Sequence, residues 1–537
     1  MNVAFDPWIP VVTTAGERKL VSLCTVLTEG EKFADLAVRP HERVALMRLF
    51  LCVAHAALNG PKGYVEWCEV PKLLPEAVQR YLANWKDSFE LFHKKKPWLQ
   101  VAELNLFPSD KGAESDDEKG WSPLSKLCFT RASGNNSTLF DHASNGGALT
   151  EYTSEEIARN LLTFQNFFVA GGKASSRLWG KVEMKNPANP KGGPCSGKSI
   201  IFTFLRGKSL SESLYLNLNT YEDLKFLYGD SGDWLGMPIW EMPIKSPTDH
   251  AAIMNATQTH IGRLVPQTRM LRVNEDRKKV LLGPGFLYPK FQDEKNTFYP
   301  DLFATMVLNN EDERVLLSAK PNSSIWRELH SLAVCRKSAS NNSRGPLCLL
   351  NIPDTSPCDI ITNAMITNPK QAAEIVDLIE SVFSLPACLR TNEGAIVYKG
   401  EVAQAEYWKS RLGGAVEGYR SEIDGGWEHR LTNAGPDKAQ LKAKLHSIAT
   451  THYWTSVEKN LPLLMAHIEA IGTDNALPTR EAWRKMLFST ACEAYRTACG
   501  QETPRQMRAF AEGWKRLTSK KDESGSVTNK TNKEDEE

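Results

Sequence analysis

The sequence predicts an α+β protein: a large mixed α/β region over residues 1–367, a C-terminal helical bundle over 368–518, and a charged tail over 519–537. Three observations carry this. Between about Pro108 and Pro300, clusters of Gly, Pro, Ser and Asn separate short apolar runs such as Ile200-Ile201-Phe202-Thr203-Phe204 and Leu214–Leu218, the texture of a loop-rich region with short strands. Beyond residue 368 apolar residues recur at helical spacing and modest loops separate the helices, as antiparallel bundle packing requires. From Ser519 onward only one apolar residue, Val527, and no aromatic is present, a composition that buries no core and predicts disorder.

Each element has a local reason. Asp6-Pro7-Trp8-Ile9-Pro10 leads into a strand at Val11–Thr13. A helix is expected from about Pro40 to Asn59, because Asn59-Gly60-Pro61 combines a left-handed cap with a residue unable to continue the ladder. A second helix is expected after Pro75, with Val78, Leu82, Trp85, Phe89 and Phe92 on one face. Asn368 suits an N-cap and Pro369 the first helical position, with Ile375, Leu378, Ile379 and Val382 forming the apolar face that follows. Further helices are expected at Val402–Leu412, stopped by Gly413-Gly414, and at Asp437–Asn460, Thr479–Ala498 and Pro504–Leu517. In the last, Met507, Phe510, Trp514 and Leu517 make a continuous stripe.

Composition excludes several classes. The 537 residues allow three to four domains, and 41% apolar residues suffice for large cores. Lys and Arg number 65 against 64 Asp and Glu, a net charge of +1 that rules out a blanket basic coat for nucleic acid. Leaving out the tail moves this only to +3. The start, Met1-Asn2-Val3-Ala4-Phe5-Asp6, carries no secretory signal, and the most apolar helical stretch, Arg43 to Leu58, is interrupted by Arg48 and His55. Eleven cysteines are scattered without a C-x-x-C pair, which points to reduced thiols in a cytoplasmic protein without a structural zinc or a membrane span.

No coherent catalytic constellation emerges, and no cofactor or metal is expected. Gly192-Gly193-Pro194-Cys195-Ser196-Gly197-Lys198-Ser199 matches the phosphate-loop pattern and leaves a P-loop nucleotide hydrolase as the alternative function. Its context is inverted: the preceding Lys185–Pro190 is unsuited to a strand, and Ile200–Phe204 looks like a strand where a helix is needed. Gly229-Asp230-Ser231-Gly232 resembles a serine-nucleophile segment but reads more simply as an acidic turn. The histidines show no ligand spacing.

Basic residues nevertheless cluster. Lys173, Arg177, Lys181, Lys185, Lys191, Lys198, Arg206 and Lys208 face a single opposing Glu183, and Ala170-Gly171-Gly172 introduces them with backbone free to approach a ligand. A second run holds Arg263, Arg269, Arg272, Arg277, Lys278 and Lys279. Each run alone suits a solvated loop; together they favour contact with a phosphate backbone.

Against this background the sequence resembles the CasA-type large subunit of the type I-E CRISPR surveillance complex, Cascade. The likeness rests on Phe5-Asp6-Pro7-Trp8-Ile9-Pro10-Val11, Ser133–His142, Met237-Pro238-Ile239-Trp240, Gly262-Arg263-Leu264-Val265 and Thr451-His452-Tyr453-Trp454, and it spans nearly all of the chain before Ser519. It implies a mixed α/β N-terminal domain and a C-terminal four-helix bundle. It also implies a non-catalytic subunit that recognises the protospacer-adjacent motif (PAM) of double-stranded target DNA through the minor groove and starts R-loop formation. The implied partners are the crRNA-bearing backbone subunits, the small-subunit dimer and the helicase–nuclease effector. The family's glycine loop falls on Gly171 and Gly172 beside Lys173, and its lysine finger on Lys278 or Lys279, with Lys290 as the alternative. Its glutamine wedge maps onto Gln371 and Ala372, flanked by Asn368 and Lys370. As the third residue of a helix capped by Asn368, Gln371 has a second reading, a side chain reaching back to the cap. The segment at Phe140, Asp141 and His142 resembles the loop that contacts the guide RNA and neighbouring subunits.

Overall fold

A computed structural model of the chain describes residues 1–106, 120–131, 151–168, 176–185, 192–195, 199–229, 234–289, 301–321, 323–335, 344–368, 371–423 and 436–519. The expected tail from residue 520 and Gly229-Asp230-Ser231-Gly232 beyond its first residue lie outside them. The elements run β1 (Ile9–Thr13), β2 (Arg18–Val21), α1 (Leu23–Thr28), β3 (Phe33–Leu36), α2 (Pro40–Leu58) and α3 (Tyr64–Asn84). Next come β4 (Leu104–Leu106), β5 (Ser122–Pro123), α4 (Ser154–Phe167), β6 (Arg177–Trp179), β7 (Val182–Met184) and β8 (Phe202–Arg206). They are followed by α5 (Leu210–Asn217), α6 (Tyr221–Tyr228), α7 (His250–Gln258), α8 (His260–Leu264), β9 (Arg269–Val273) and β10 (Lys279–Gly285). The first compact unit, Met1–Ala395, closes with β11 (Met306–Leu308), β12 (Arg314–Leu316), α9 (Leu329–Leu332), β13 (Cys358–Asn368) and β14 (Gln371–Leu385).

α2 is buried on nearly every side, packed against α1, α3, α4, α5 and α8 and against the β13–β14 pair, and its apolar residues accordingly run around most of its circumference. Its ends are as the sequence anticipates: Pro40 occupies the first turn, and Asn59 caps the C-terminus with a left-handed φ of 48°. Two buried arginines tie α2 to its surroundings. Arg43 pairs with Asp35 at 2.5 Å and with Glu380 of β14 at 2.8 Å, and Arg48 pairs with Asp301 at 2.5 Å.

Three expectations are corrected here. α3 starts at Tyr64 and carries Pro71 and Pro75 inside it, because Trp67, Val70, Leu74, Val78 and Leu82 bury one stripe that continues across both prolines. Leu214–Asn217 belongs to α5, with Leu218 as its C-cap, and the N-cap Ser209 accepts a hydrogen bond from the Glu212 amide. Residues 368–385 form no helix. β13 and β14 make one long antiparallel hairpin, pairing from Cys358↔Leu385 out to Asn368↔Gln371. The i, i+3, i+4, i+7 spacing of Ile375, Leu378, Ile379 and Val382 fits a helix. A matched β-rich partner at Ile360–Thr367 claims the segment instead, with β13 central in the order β14-β13-β8.

The second unit, Ile396–Glu537, is helical. Its elements are α10 (Asn392–Ile423, entering from the first unit), α11 (Pro436–Lys459), α12 (Leu461–Glu469), α13 (Ala476–Ala498) and α14 (Pro504–Thr518). Because α12 continues α11 after a break at Asn460, the helices make four legs of a bundle. Contrary to expectation, α10 runs through Gly413-Gly414. Leu412, Ala415 and Val416 are buried on either side, and burial outweighs a glycine cost of about 1 kcal/mol each. Tyr453 Oη donates to the Ala405 carbonyl at 2.8 Å, and Tyr495 Oη donates to that of Phe510 at 3.0 Å, fastening the legs. Glu401, 3% exposed, accepts from Arg480 and Arg484 at 2.8–3.1 Å.

Among the described residues no helix is long and apolar enough to cross a membrane, and no group of three or more His, Cys, Asp or Glu is placed to hold a metal.

Candidate nucleic-acid interface

The turn joining β9 to β10 presents the end of the second basic run. Asn274 Oδ1 accepts from the amides of Lys278 (3.1 Å) and Lys279 (2.9 Å), Asp276 Oδ1 accepts from Lys278 N (2.8 Å), and Arg277 takes φ 60°. This Asx-organised turn fixes the backbone of both lysines. Arg277 is committed: its guanidinium lies 4.3 Å from the Phe92 ring centre and donates to Ser154 Oγ at 3.2 Å. Lys278 Nζ meets Glu151 at 3.1 Å, with side chains 41% and 80% exposed. Lys279 opens β10 opposite Pro123 of β5.

The rest of that run turns inward. Arg263 donates to the Thr257 carbonyl at 2.7 Å and lies over Tyr288. Arg269 stacks 4.1 Å from Phe168, and burial pulls its pKa down to about 10. Arg272 lies over Trp121 and donates to the Ala102 carbonyl. Arg263 on α8 and Arg269 at the start of β9 are buried and Arg272 is half-buried, each guanidinium set against an aromatic face, so the turn residues carry most of the run's accessible charge. The first run divides in the same way. Arg177 is 4% exposed and donates to the Gly120 carbonyl, whereas Arg206 and Lys185 face solvent beside Asp35 and Glu183.

A second projecting element is the end of the β13–β14 hairpin. The ladder is held down as far as Thr367, whose amide donates to Ser199 Oγ at 3.1 Å. Register shifts at Ile366/Thr367 and Thr367/Asn368 follow, and the ladder closes at Asn368↔Gln371. Asn368 caps no helix: its Nδ2 donates to Glu374 Oε2 across the hairpin end at 2.7 Å. Gln371 and Ala372 are therefore the first residues of a returning strand, and the reading of Gln371 as a helix-capping side chain falls. The two hairpins belong to different sheets. Gly171, Gly172, Lys173, Lys290, Lys370, Phe140, Asp141 and His142 lie outside the described residues.

The described ends of the phosphate-loop match, Gly192–Cys195 and Ser199, pack into the first unit, and Ser196, Gly197 and Lys198 lie outside the described residues. Gly193 N donates to the Phe168 carbonyl at 2.8 Å and Cys195 N to that of Asn166 at 3.1 Å, so these amides close the end of α4. A Cβ at Gly193 would lie 2.5 Å from the Asn166 carbonyl oxygen, a packing reason for the glycine. Ser199, read from the sequence only as a phosphate-loop hydroxyl, serves as the hairpin anchor, and nothing in its local pattern signals that role.

The family model for CRISPR-associated protein Cse1 matches residues 2–494. A CasA/Cse1 protein of Thermus thermophilus is 24% identical over 533 residues, covering 95% of each chain. Among solved structures, Thermus thermophilus CasA superposes with a TM-score of 0.72 at 20% identity, covering 96% of this chain and 98% of that one. Cse1 of Acidimicrobium ferrooxidans gives 0.69 at 20% identity over 96% of both chains. A chain of a CRISPR RNA-guided surveillance complex gives 0.65 at 18% identity, covering 97% and 99%. With the family model spanning nearly the whole described chain, the protein belongs to the CRISPR-associated Cse1 (CasA) family.

Proposed function

We propose that the chain is the non-catalytic large subunit of an RNA-guided CRISPR surveillance complex of the Cascade type, and that it reads a PAM in duplex DNA and starts strand separation. The carrying observation is the closure of the β13–β14 hairpin at Asn368↔Gln371. The segment aligned with the family's wedge sits at the end of a stiff paired ladder, where a wedge has backbone support and no helix cap competes for it. Inserting such a wedge costs about a few kcal/mol of unstacking, which new interactions with the opened duplex can offset.

In this reading Gly171, Gly172 and Lys173 approach the minor groove. There the base edges carry a degenerate code, so recognition is loose. Lys278 and Lys279 supply phosphate contact from a fixed turn, and Asn368, Lys370, Gln371 and Ala372 form the wedge. Phe140, Asp141 and His142 face the guide RNA and its backbone subunits, and the small-subunit dimer and helicase–nuclease effector complete the assembly. Guide pairing then continues an exchange near energetic balance, by analogy with other RNA-guided systems. The phosphate-loop alternative is disfavoured because the Gly193 and Cys195 amides are already bonded to the end of α4.

The test is duplex opening by the reconstituted complex, followed by 2-aminopurine fluorescence next to the motif. Gln371→Ala is expected to slow opening at least tenfold, with motif-dependent binding retained and melting temperature unchanged. Equal affinity for duplexes with and without a motif would overturn the recognition role; an unchanged opening rate would overturn the wedge.

A further inference from the structure

The first unit holds a cleft that neither hairpin lines. Its cavity of about 580 Å³ lies between the chain leaving α3 and the loop preceding α7, within the ~300–1,000 Å³ usual for small-ligand sites. Trp85, Trp98, Trp179 and Trp240 line it; Trp98, Trp179 and Trp240 are buried into its wall, and Trp85 is half-buried and keeps accessible surface. Trp240 is fixed in place: its indole Nε1 donates to Tyr81 Oη at 2.7 Å, and Tyr81 Oη donates to the Glu241 carboxylate. Trp98 is 3% exposed, and its Nε1 finds no hydrogen-bond partner among the described residues.

Lysines line the same cleft. His93 Nδ1 accepts from the amides of Lys95 (3.2 Å) and Lys96 (3.0 Å), curling the chain so that both exposed side chains stand beside the cavity, with Lys245 also lining it. Three ammonium groups face two carboxylates, Glu103 and Glu241, and Glu241 is already engaged by Tyr81. An aromatic cage for a cation would have the opposite balance. A half-buried indole, Trp85, beside an excess of lysine suits a flat heteroaromatic ring carrying phosphate.

We propose that this cleft binds one nucleotide unit, its base stacked on Trp85 and its phosphate held by Lys95, Lys96 and Lys245. The chemistry is the same whether the unit is a free mononucleotide or belongs to a single strand. The site stands apart from duplex reading, so either reading survives failure of the other.

The test titrates the full chain with AMP, adenosine, ribose 5-phosphate and a 5′-phosphorylated tetra-adenylate RNA, followed by tryptophan fluorescence and calorimetry. AMP is expected to quench saturably, with adenosine and ribose 5-phosphate each about tenfold weaker. Trp85→Ala should weaken AMP by about tenfold. The surface double variant Lys95→Gln/Lys96→Gln should weaken AMP and leave adenosine unchanged, with melting temperatures reporting intact folding. Tighter binding of the tetranucleotide than of AMP identifies a strand as the source, and equal binding a free nucleotide. Failure of both AMP and the tetranucleotide to bind, ribose 5-phosphate binding as tightly as AMP, or indifference of AMP to the lysine variant would overturn the site.

Discussion

Lys278 offers a quantitative test of the basic turn. Its ammonium is 3.1 Å from Glu151, with side chains 41% and 80% exposed. A pair this solvated is worth about 0–1 kcal/mol, so Lys278 exchanges Glu151 for a phosphate at little cost. Its neighbour Arg277 is stacked on Phe92 and bonded to Ser154, and has no such freedom. One neutralised phosphate contributes about 0.9 to the slope of log K against log salt. Lys278→Ala in the reconstituted complex should therefore flatten that slope by about 0.9. Its deficit against the unaltered complex should shrink about threefold between ~50 and ~200 mM salt. Filter binding at four salt concentrations on a motif-bearing duplex reads this directly. Glu151→Gln, which releases the ammonium, should strengthen binding at low salt. Identical slopes for the unaltered complex, Lys278→Ala and Lys279→Ala would refute phosphate contact by this turn.

Other expectations concern the core. Gly193→Ala forces a Cβ to 2.5 Å from the Asn166 carbonyl oxygen and should lower the melting temperature clearly, while any nucleotide binding by the unaltered chain should be indifferent to Lys198→Ala. ATP binding abolished by Lys198→Ala would revive the phosphate-loop reading. Burial lowers the pKa of His41 to about 3 and of His55 to about 4, from 6.5. The unfolded chain takes these protons first, so stability is full above about pH 6.5 and falls as pH drops toward those values. At pH 5 the loss is about 2 kcal/mol for each histidine. Urea midpoints at pH 7.5 and pH 5 measure it, and equal midpoints contradict the assignment. Glu401→Gln removes the buried anion between Arg480 and Arg484. Because these guanidinium groups keep about 40% exposure, the expected cost is about 2 kcal/mol, below that of a wholly buried pair, read as a shift in the second unit's urea transition.

Where local chemistry decides, the chain was legible. Pro40 and Asn59 delimit α2, and Pro504 starts α14. Where partners decide, it was not. Pro75 read as the point after which a helix starts, yet the buried stripe from Trp67 to Leu82 carries the helix through it and through Pro71. Gly413-Gly414 read as a stop, yet the bundle core on both sides continues α10. Leu214–Leu218 looked extended, though Ser209 and Glu212 already carried a cap signal. The basic run from Arg263 to Lys279 was visible as a cluster, but its division into buried and surface residues depends on Tyr288, Phe168 and Trp121, which no local pattern supplies.

The misread segment at 368–385 bears most on function. In a helix capped by Asn368, residue 371 would lie one turn from the cap, and a capping role would compete with any wedge. In the hairpin, Asn368 directs its amide to Glu374 instead, and 371 is tied by backbone to the far side of the ladder. The supports beneath it are Ser199 Oγ on the Thr367 amide and, further down, the Arg43–Glu380 pair. That second support is a buried guanidinium on α2, so force on the hairpin end is carried into a helix buried along most of its length. A wedge that unstacks a base step must not yield before the DNA does. A paired strand anchored in the core meets that requirement better than a helix end held by its cap.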